Sequence, residues 1–223
     1  MKKYLVYIII AIAIGIPGSN VWGQSSPPFY GEIQGFKKQD SIQFPPKNAI
    51  LFVGSSSFRM WRNVQQDFPK YTIINRGFGG SSLPDVIRYA DDIIFPYHPK
   101  QIIIYCGEND IASSDTITAD VVYNRFRKLF QLIRVKMPDV PVAFVSMKPS
   151  PSRERFLQTM QEGNNKIKSY LQQQKNAVYI DVYHKMLQEN GSPMTDIFLG
   201  DNLHMNAKGY AIWTKIIGPY LVK

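Results

Sequence analysis

The sequence is poor in the residues that staple or metallate small domains. One cysteine, Cys106, stands among 223 residues, which excludes an intramolecular disulfide framework and a cysteine-rich zinc site. Three histidines, His98, His184 and His204, are too few for a multi-histidine metal centre, so neither a metal nor another cofactor is expected. Basic residues outnumber acidic ones 26 to 17. They are scattered, however, and no zinc-finger, helix-turn-helix or RNP-type pattern accompanies them, so no nucleic-acid partner is expected. A phosphate-binding loop and a Rossmann glycine signature are both missing, which counts against a nucleotide-binding protein. Internal repeats and low-complexity linkers are also missing. At 44% hydrophobic and 19% charged, the chain has an ordinary globular composition, and its length suits a single domain.

Long hydrophobic runs are scarce too. The longest opens the chain: Met1-Lys2-Lys3, then Tyr4 to Ile16, then the break Pro17-Gly18-Ser19-Asn20. Its 13 residues fall short of the roughly 20 that span a bilayer. A basic start, a short apolar core and modest residues at Val21 and Gly23 are the layout of a secretory signal peptide. Residues 1–23 are therefore read as a leader and 24–223 as one domain, with cleavage near Gly23–Gln24 and an uncleaved N-terminal anchor as the alternative. Removing Lys2 and Lys3 leaves a net charge of +7, suited to an anionic envelope or an acidic polysaccharide. A secreted or periplasmic location follows, with no stable membrane insertion once the leader is gone.

What the chain does have is alternation. Glu32 to Asp40 reads as a short helix ended by Pro45-Pro46. Ala49–Val53 is a continuous apolar run, as a strand buried on both faces should be. A helix is expected over Phe58–Phe68, a strand at Tyr71–Ile74, a helix over Leu83–Ile94 and a strand at Gln101–Tyr105. Thr118 opens a long helix to about Met137. A strand at Val142–Val145, a helix over Arg155–Gln174, a strand at Val178–Ile180 and a closing helix from Asn206 to about Ile217 complete the order. Alternating strands and helices predict an α/β three-layer sandwich: a flavodoxin-like, five-stranded parallel sheet in the order 2-1-3-4-5, with helices on both faces. Such sheets place ligands at the carboxyl ends of their strands.

Polar, glycine-rich segments sit at those ends. Gly54-Ser55-Ser56-Ser57 follows the first strand, Asn75-Arg76-Gly77-Phe78-Gly79-Gly80-Ser81 the second, and Gly107-Glu108-Asn109-Asp110 the third. Asp201-Asn202-Leu203-His204 precedes the last helix. Each alone reads equally as a cap or a turn. Together, and in this order, they resemble the blocks of the SGNH (GDSL-type) hydrolase family from about Ala49 to Tyr220. The resemblance implies ester hydrolysis through a serine nucleophile. By position, Ser56 matches that nucleophile, His204 the base and Asp201 its orienting carboxylate. The Ser56 and Gly80 backbone N–H groups and the Asn109 amide match the oxyanion hole. Where the family usually carries aspartate, this chain has Ser55.

These roles make chemical sense. A serine hydroxyl is a poor nucleophile until a base takes its proton, and imidazole titrates near neutral pH. An aspartate three residues earlier can reach Nδ1–H on one tight turn. A second Asp-x-x-His, Asp181 with His184, follows the fifth strand and remains an alternative pair, although the family motif sits before the closing helix. Arg76, Phe78 and Arg153 are candidate substrate contacts. The expected partner is an acylated small molecule or glycan, hydrolysed at a short acyl group such as acetyl. A lysophospholipase, a thioesterase, an acyltransferase or a non-catalytic glycan-binding module on this scaffold are the alternatives.

Overall fold

The apolar runs become strands because each is flanked by turn formers and can be buried from both sides. In the computed structural model, which describes residues 26–223, helix α1 (Tyr30–Ile42) leads into β1 (Ile50–Gly54). The expected leader at 1–23 lies outside the described residues. Then follow α2 (Ser56–Arg59), α3 (Val64–Asp67), β2 (Ile73–Gly77), α4 (Leu83–Arg88), α5 (Ala90–Ile93) and β3 (Gln101–Tyr105). The second half runs α6 (Glu108–Ala112), α7 (Ala119–Lys136), β4 (Val142–Val145), α8 (Leu157–Leu171), β5 (Ala177–Ile180) and α9 (Ala207–Ile217). The strands form one parallel sheet in the order β2-β1-β3-β4-β5, the expected doubly wound arrangement.

The pleat divides the core in two. Leu51, Val53, Ile102, Ile104, Val142 and Phe144 face the layer of α1, α4, α7 and α8. Ile50, Phe52, Ile103, Tyr105, Ala143 and Val145 face the layer of α2, α3 and α9. That second layer is aromatic. Phe52 packs on Phe58 with centroids 4.9 Å apart, and Tyr105 meets Trp213 at 4.8 Å. A fully buried side chain of this size contributes roughly 1.5–3 kcal/mol. The cluster thus holds α2 and α9, which are far apart in sequence, against the same patch of sheet. The Tyr210 hydroxyl of α9 adds a 2.8 Å hydrogen bond to the Ser57 carbonyl.

Two expected helices are broken. Phe58–Phe68 is two single turns, α2 and α3, because the chain must bend to bring Phe58, Trp61, Val64 and Phe68 all onto the sheet. Leu83–Ile94 divides at Tyr89 into α4 and α5. The second strand also lies further on than Tyr71–Ile74 suggests. Asn75, Arg76 and Gly77 belong to β2 itself, because their polar groups are satisfied locally. Asn75 Nδ2 donates to the Phe58 carbonyl at 2.7 Å, and Gly77 N–H donates to Asn75 Oδ1 at 2.9 Å.

The register decides where the site forms. Gly54 lies level with Gly77 on one side and Tyr105 on the other. Three strands therefore end together, and the segments after them emerge side by side.

Candidate active site

Ser56 is the first residue of α2, and the turn that presents it is tight. Gly54 has φ +138°, and a Cβ there would fall 1.9 Å from the Tyr105 carbonyl oxygen, so only glycine fits. Ser55 follows in extended conformation and donates its backbone N–H to that same carbonyl at 2.9 Å. Ser56 then sits on the top edge of the sheet with 9% of its surface exposed.

His204 reaches it from the far end of the chain. Its Nε2 lies 3.0 Å from Ser56 Oγ, and its Nδ1 lies 2.6 Å from Asp201 Oδ2. A carboxylate can only accept, so Nδ1 donates to Asp201 and Nε2 is left as the acceptor for the Ser56 hydroxyl. The turn that carries the pair is held from several sides. Leu203 and His204 N–H groups donate to Asp201 Oδ1 at 3.0 and 2.9 Å. Asn202 takes the left-handed region at φ +54°. Leu199 N–H bonds the His204 carbonyl at 2.7 Å, and Ser152 N–H bonds the Asn202 carbonyl at 3.1 Å. Two residues on, Asn206 caps α9 by accepting from the Lys208 and Gly209 N–H groups.

Burial alone would raise the Asp201 carboxyl, but hydrogen bonds from the His204 ring, then from the His204 and Leu203 backbone, outweigh it and bring the group down to about 2. The folded value lies below the ordinary carboxylate value near 4. Folding is therefore favoured by this interaction above that pH, and the benefit is lost as pH falls through about 2. We expect a wild-type melting temperature above that of Asp201→Asn near neutrality, with the gap closing between pH about 4 and about 2. Thermal melts of both proteins across that range check it. The side chain is half exposed, so the gap is small.

Two further candidate donors come from the segments that follow β2 and β3. Gly80, at φ +72°, lies exposed in the turn after β2, and a Cβ there would meet nothing within 4 Å. Asn109, in the first turn of α6, points its amide Nδ2 at the Ser81 carbonyl at 3.1 Å and at Ser55 Oγ at 3.4 Å. The buried Ser55 hydroxyl therefore serves as a neutral support for the Asn109 amide. Serine, imidazole and carboxylate in hydrogen-bonded series can deprotonate a hydroxyl as it attacks a carbonyl.

Not every candidate joins them. Arg76 is 8% exposed. It points under α1, where it pairs with Asp40, donates from Nε to the Tyr97 hydroxyl at 2.7 Å and lies over the Phe36 ring. It is a buried structural cation, not a substrate contact. Phe78 is fully buried against Phe29 and Tyr89, so it too packs the core. Both point away from the edge because they lie on or next to β2, whose inward face is apolar core. Arg153 lies in the 3₁₀ turn Pro151–Phe156, next to the residue that bonds Asn202, with a buried Nε that has no partner. Asp181 and His184 build the same carboxylate–imidazole pair at 2.7 Å, but among the described residues no serine hydroxyl bonds to His184. Also among the described residues, no three His, Cys, Asp or Glu side chains gather to hold a metal ion.

Sequence reasoning missed two ion pairs at this edge. Glu108 and Lys148 form a buried pair at 2.8 Å, one residue from Asn109. Glu32 of α1 accepts the Gly79 N–H at 3.2 Å and meets Arg59 at 3.0 Å. No local pattern marks either pair, since each joins residues from separate segments.

Compared with known families, residues 40–212 match the GDSL-like Lipase/Acylhydrolase family. The chain belongs to that family. Solved structures agree on the architecture. A GDSL-like lipase from Bacteroides thetaiotaomicron superposes with a TM-score of 0.72 at 18% identity, covering 84% of this chain and 96% of its own. A carbohydrate esterase family 3 protein from Talaromyces cellulolyticus gives 0.63 at 17%, covering 77% and 95%. A variant acetyl xylan esterase from Geobacillus stearothermophilus gives 0.63 at 14%, covering 79% and 97%. At these identities the likeness is one of fold. No curated protein matches the sequence. Among the described residues of this GDSL-like family member, no helix is long and apolar enough to cross a membrane.

Proposed function

We propose that this GDSL-like acylhydrolase is an exported serine esterase that removes short acyl groups, acetyl above all, from carbohydrate. The observation that carries the reading is the series Ser56–His204–Asp201, bonded at 3.0 and 2.6 Å at the carboxyl edge of the sheet. Ser56 Oγ attacks the ester carbonyl while its proton passes to His204 Nε2. The tetrahedral oxyanion is held by the Ser56 and Gly80 backbone N–H groups and the Asn109 amide. Collapse returns that proton to the departing alcohol and leaves an acyl-Ser56. Water, deprotonated by the same imidazole, then attacks, and the acid leaves as Ser56 regains its proton. Asp201, ionised throughout, holds the ring and stabilises the imidazolium.

The short connections after β1, β2 and β3 support a small acyl group, since they carry no lid. The leader-like N-terminus and basic charge support export towards a glycan. The similarity to a carbohydrate esterase and an acetyl xylan esterase points the same way. A fluorophosphonate probe on the folded protein tests the chemistry: a covalent adduct on Ser56 is expected, and its absence favours a binding module instead. Acetyl esters of sugars assayed against longer acyl esters and lysophospholipids test the substrate. Release of free acetate is expected. Transfer to a glycan acceptor in preference to water would make the protein a transferase.

A further inference from the structure

The proposed oxyanion donor Gly80 is exposed and follows the half-buried Gly79, in a glycine pair that has no side chains of its own to pack. What holds it comes from α1. Both carboxylate oxygens of Glu32 accept the Gly79 N–H, at 3.2 and 3.3 Å. The charge this would bring to the oxyanion site is neutralised by Arg59 Nε of α2 at 3.0 Å from Glu32. The Arg59 guanidinium also lies against Gly79, where a Cβ would come within 2.6 Å of Nη1. On the preceding residue, the Phe78 ring meets Phe29, just ahead of α1, edge to face at 5.3 Å. The loop is thus clamped to the helix before it and to the helix that carries Ser56. Glu32 also lies ahead of residues 40–212 matched by the family.

From this geometry we infer that Glu32 is a positioning residue for the oxyanion hole: by fixing the Gly79 peptide, and with Arg59 cancelling its charge, it aims the next N–H, that of Gly80, at the tetrahedral oxyanion. The inference rests on the esterase reading above. A donor held loosely still permits substrate to bind but stabilises the transition state less. The effect therefore belongs in kcat and not in KM.

The test compares wild type, Glu32→Ala, Glu32→Gln and Ser56→Ala on p-nitrophenyl acetate, with phenylboronic acid as the tetrahedral analogue and melting temperature as the folding check. Glu32→Ala is expected to lose about tenfold to a hundredfold in kcat, the loss typical of a misplaced group, with KM within about twofold and boronate affinity falling in step with kcat. Glu32→Gln keeps an acceptor for Gly79 and is expected to recover most of the rate. If Glu32→Ala does not fold, Glu32→Asp, one methylene shorter, replaces it with the same expected loss. Wild-type kcat and boronate affinity in Glu32→Ala would overturn the assignment, as would Glu32→Gln losing as much as Glu32→Ala. A Ser56→Ala protein as active as wild type would instead remove the esterase reading itself. An inactive Ser56→Ala beside a fully active Glu32→Ala would remove only the role of Glu32.

Discussion

Ser56→Ala is expected to abolish turnover of p-nitrophenyl acetate, lowering kcat on the order of 10⁵- to 10⁶-fold, the loss typical when a serine nucleophile is removed. Water is left to attack without an acyl-enzyme, aided by the three proposed donors, since alanine keeps the backbone N–H of residue 56. The fold should hardly notice. The side chain's described hydrogen bond is the one to His204, and losing such a bond costs about 1 kcal/mol, a melting shift of about 2–4 °C for a domain this size. Steady-state kinetics beside a thermal melt separate the two effects. Equal rates in wild type and variant would refute the proposed chemistry outright.

The second large effect discriminates between twins. His204→Ala is expected to cost as much as Ser56→Ala, and the double variant no more than either single, because the two act as one unit. His184→Ala is expected to stay within about twofold of wild type, since surface changes away from a site are close to neutral. The two histidines are alike locally. Each sits three residues after an aspartate, each has Nδ1 within 2.7 Å of that carboxylate, and each donates its backbone N–H to it. The contact that separates them chemically is His204 Nε2 to Ser56 Oγ across 148 positions. Loss of activity on removing His184 rather than His204 would reverse the assignment.

Much of this was legible without coordinates. Strand and helix order came from apolar runs and punctuation. Gln101–Tyr105 and Val142–Val145 fall where expected, and Thr118 and Asn206 cap α7 and α9. Errors gathered where tertiary packing overrides local pattern. The Phe58–Phe68 run has helical spacing, yet its aromatics are drawn onto the sheet from two separate turns. Arg76 and Phe78 looked like pocket residues because a glycine-rich loop follows them. Their burial depends on α1 lying over β2, a contact between segments that share no local motif.

Taken alone, the chain's residues determined its layer order, the edge at which chemistry would gather and the residue types available there. These follow from hydrophobic periodicity and turn chemistry, which act over a few neighbouring positions. Only the tertiary structure decided which Asp-x-x-His meets the serine and what holds the Gly79-Gly80 loop. Those choices are made by long-range packing: Trp213 and Tyr210 anchor α9 beside α2 and so deliver His204, while α1 delivers Glu32 to Gly79. A side chain's partner across the fold depends on which buried surfaces fit together, and no short stretch of sequence records that.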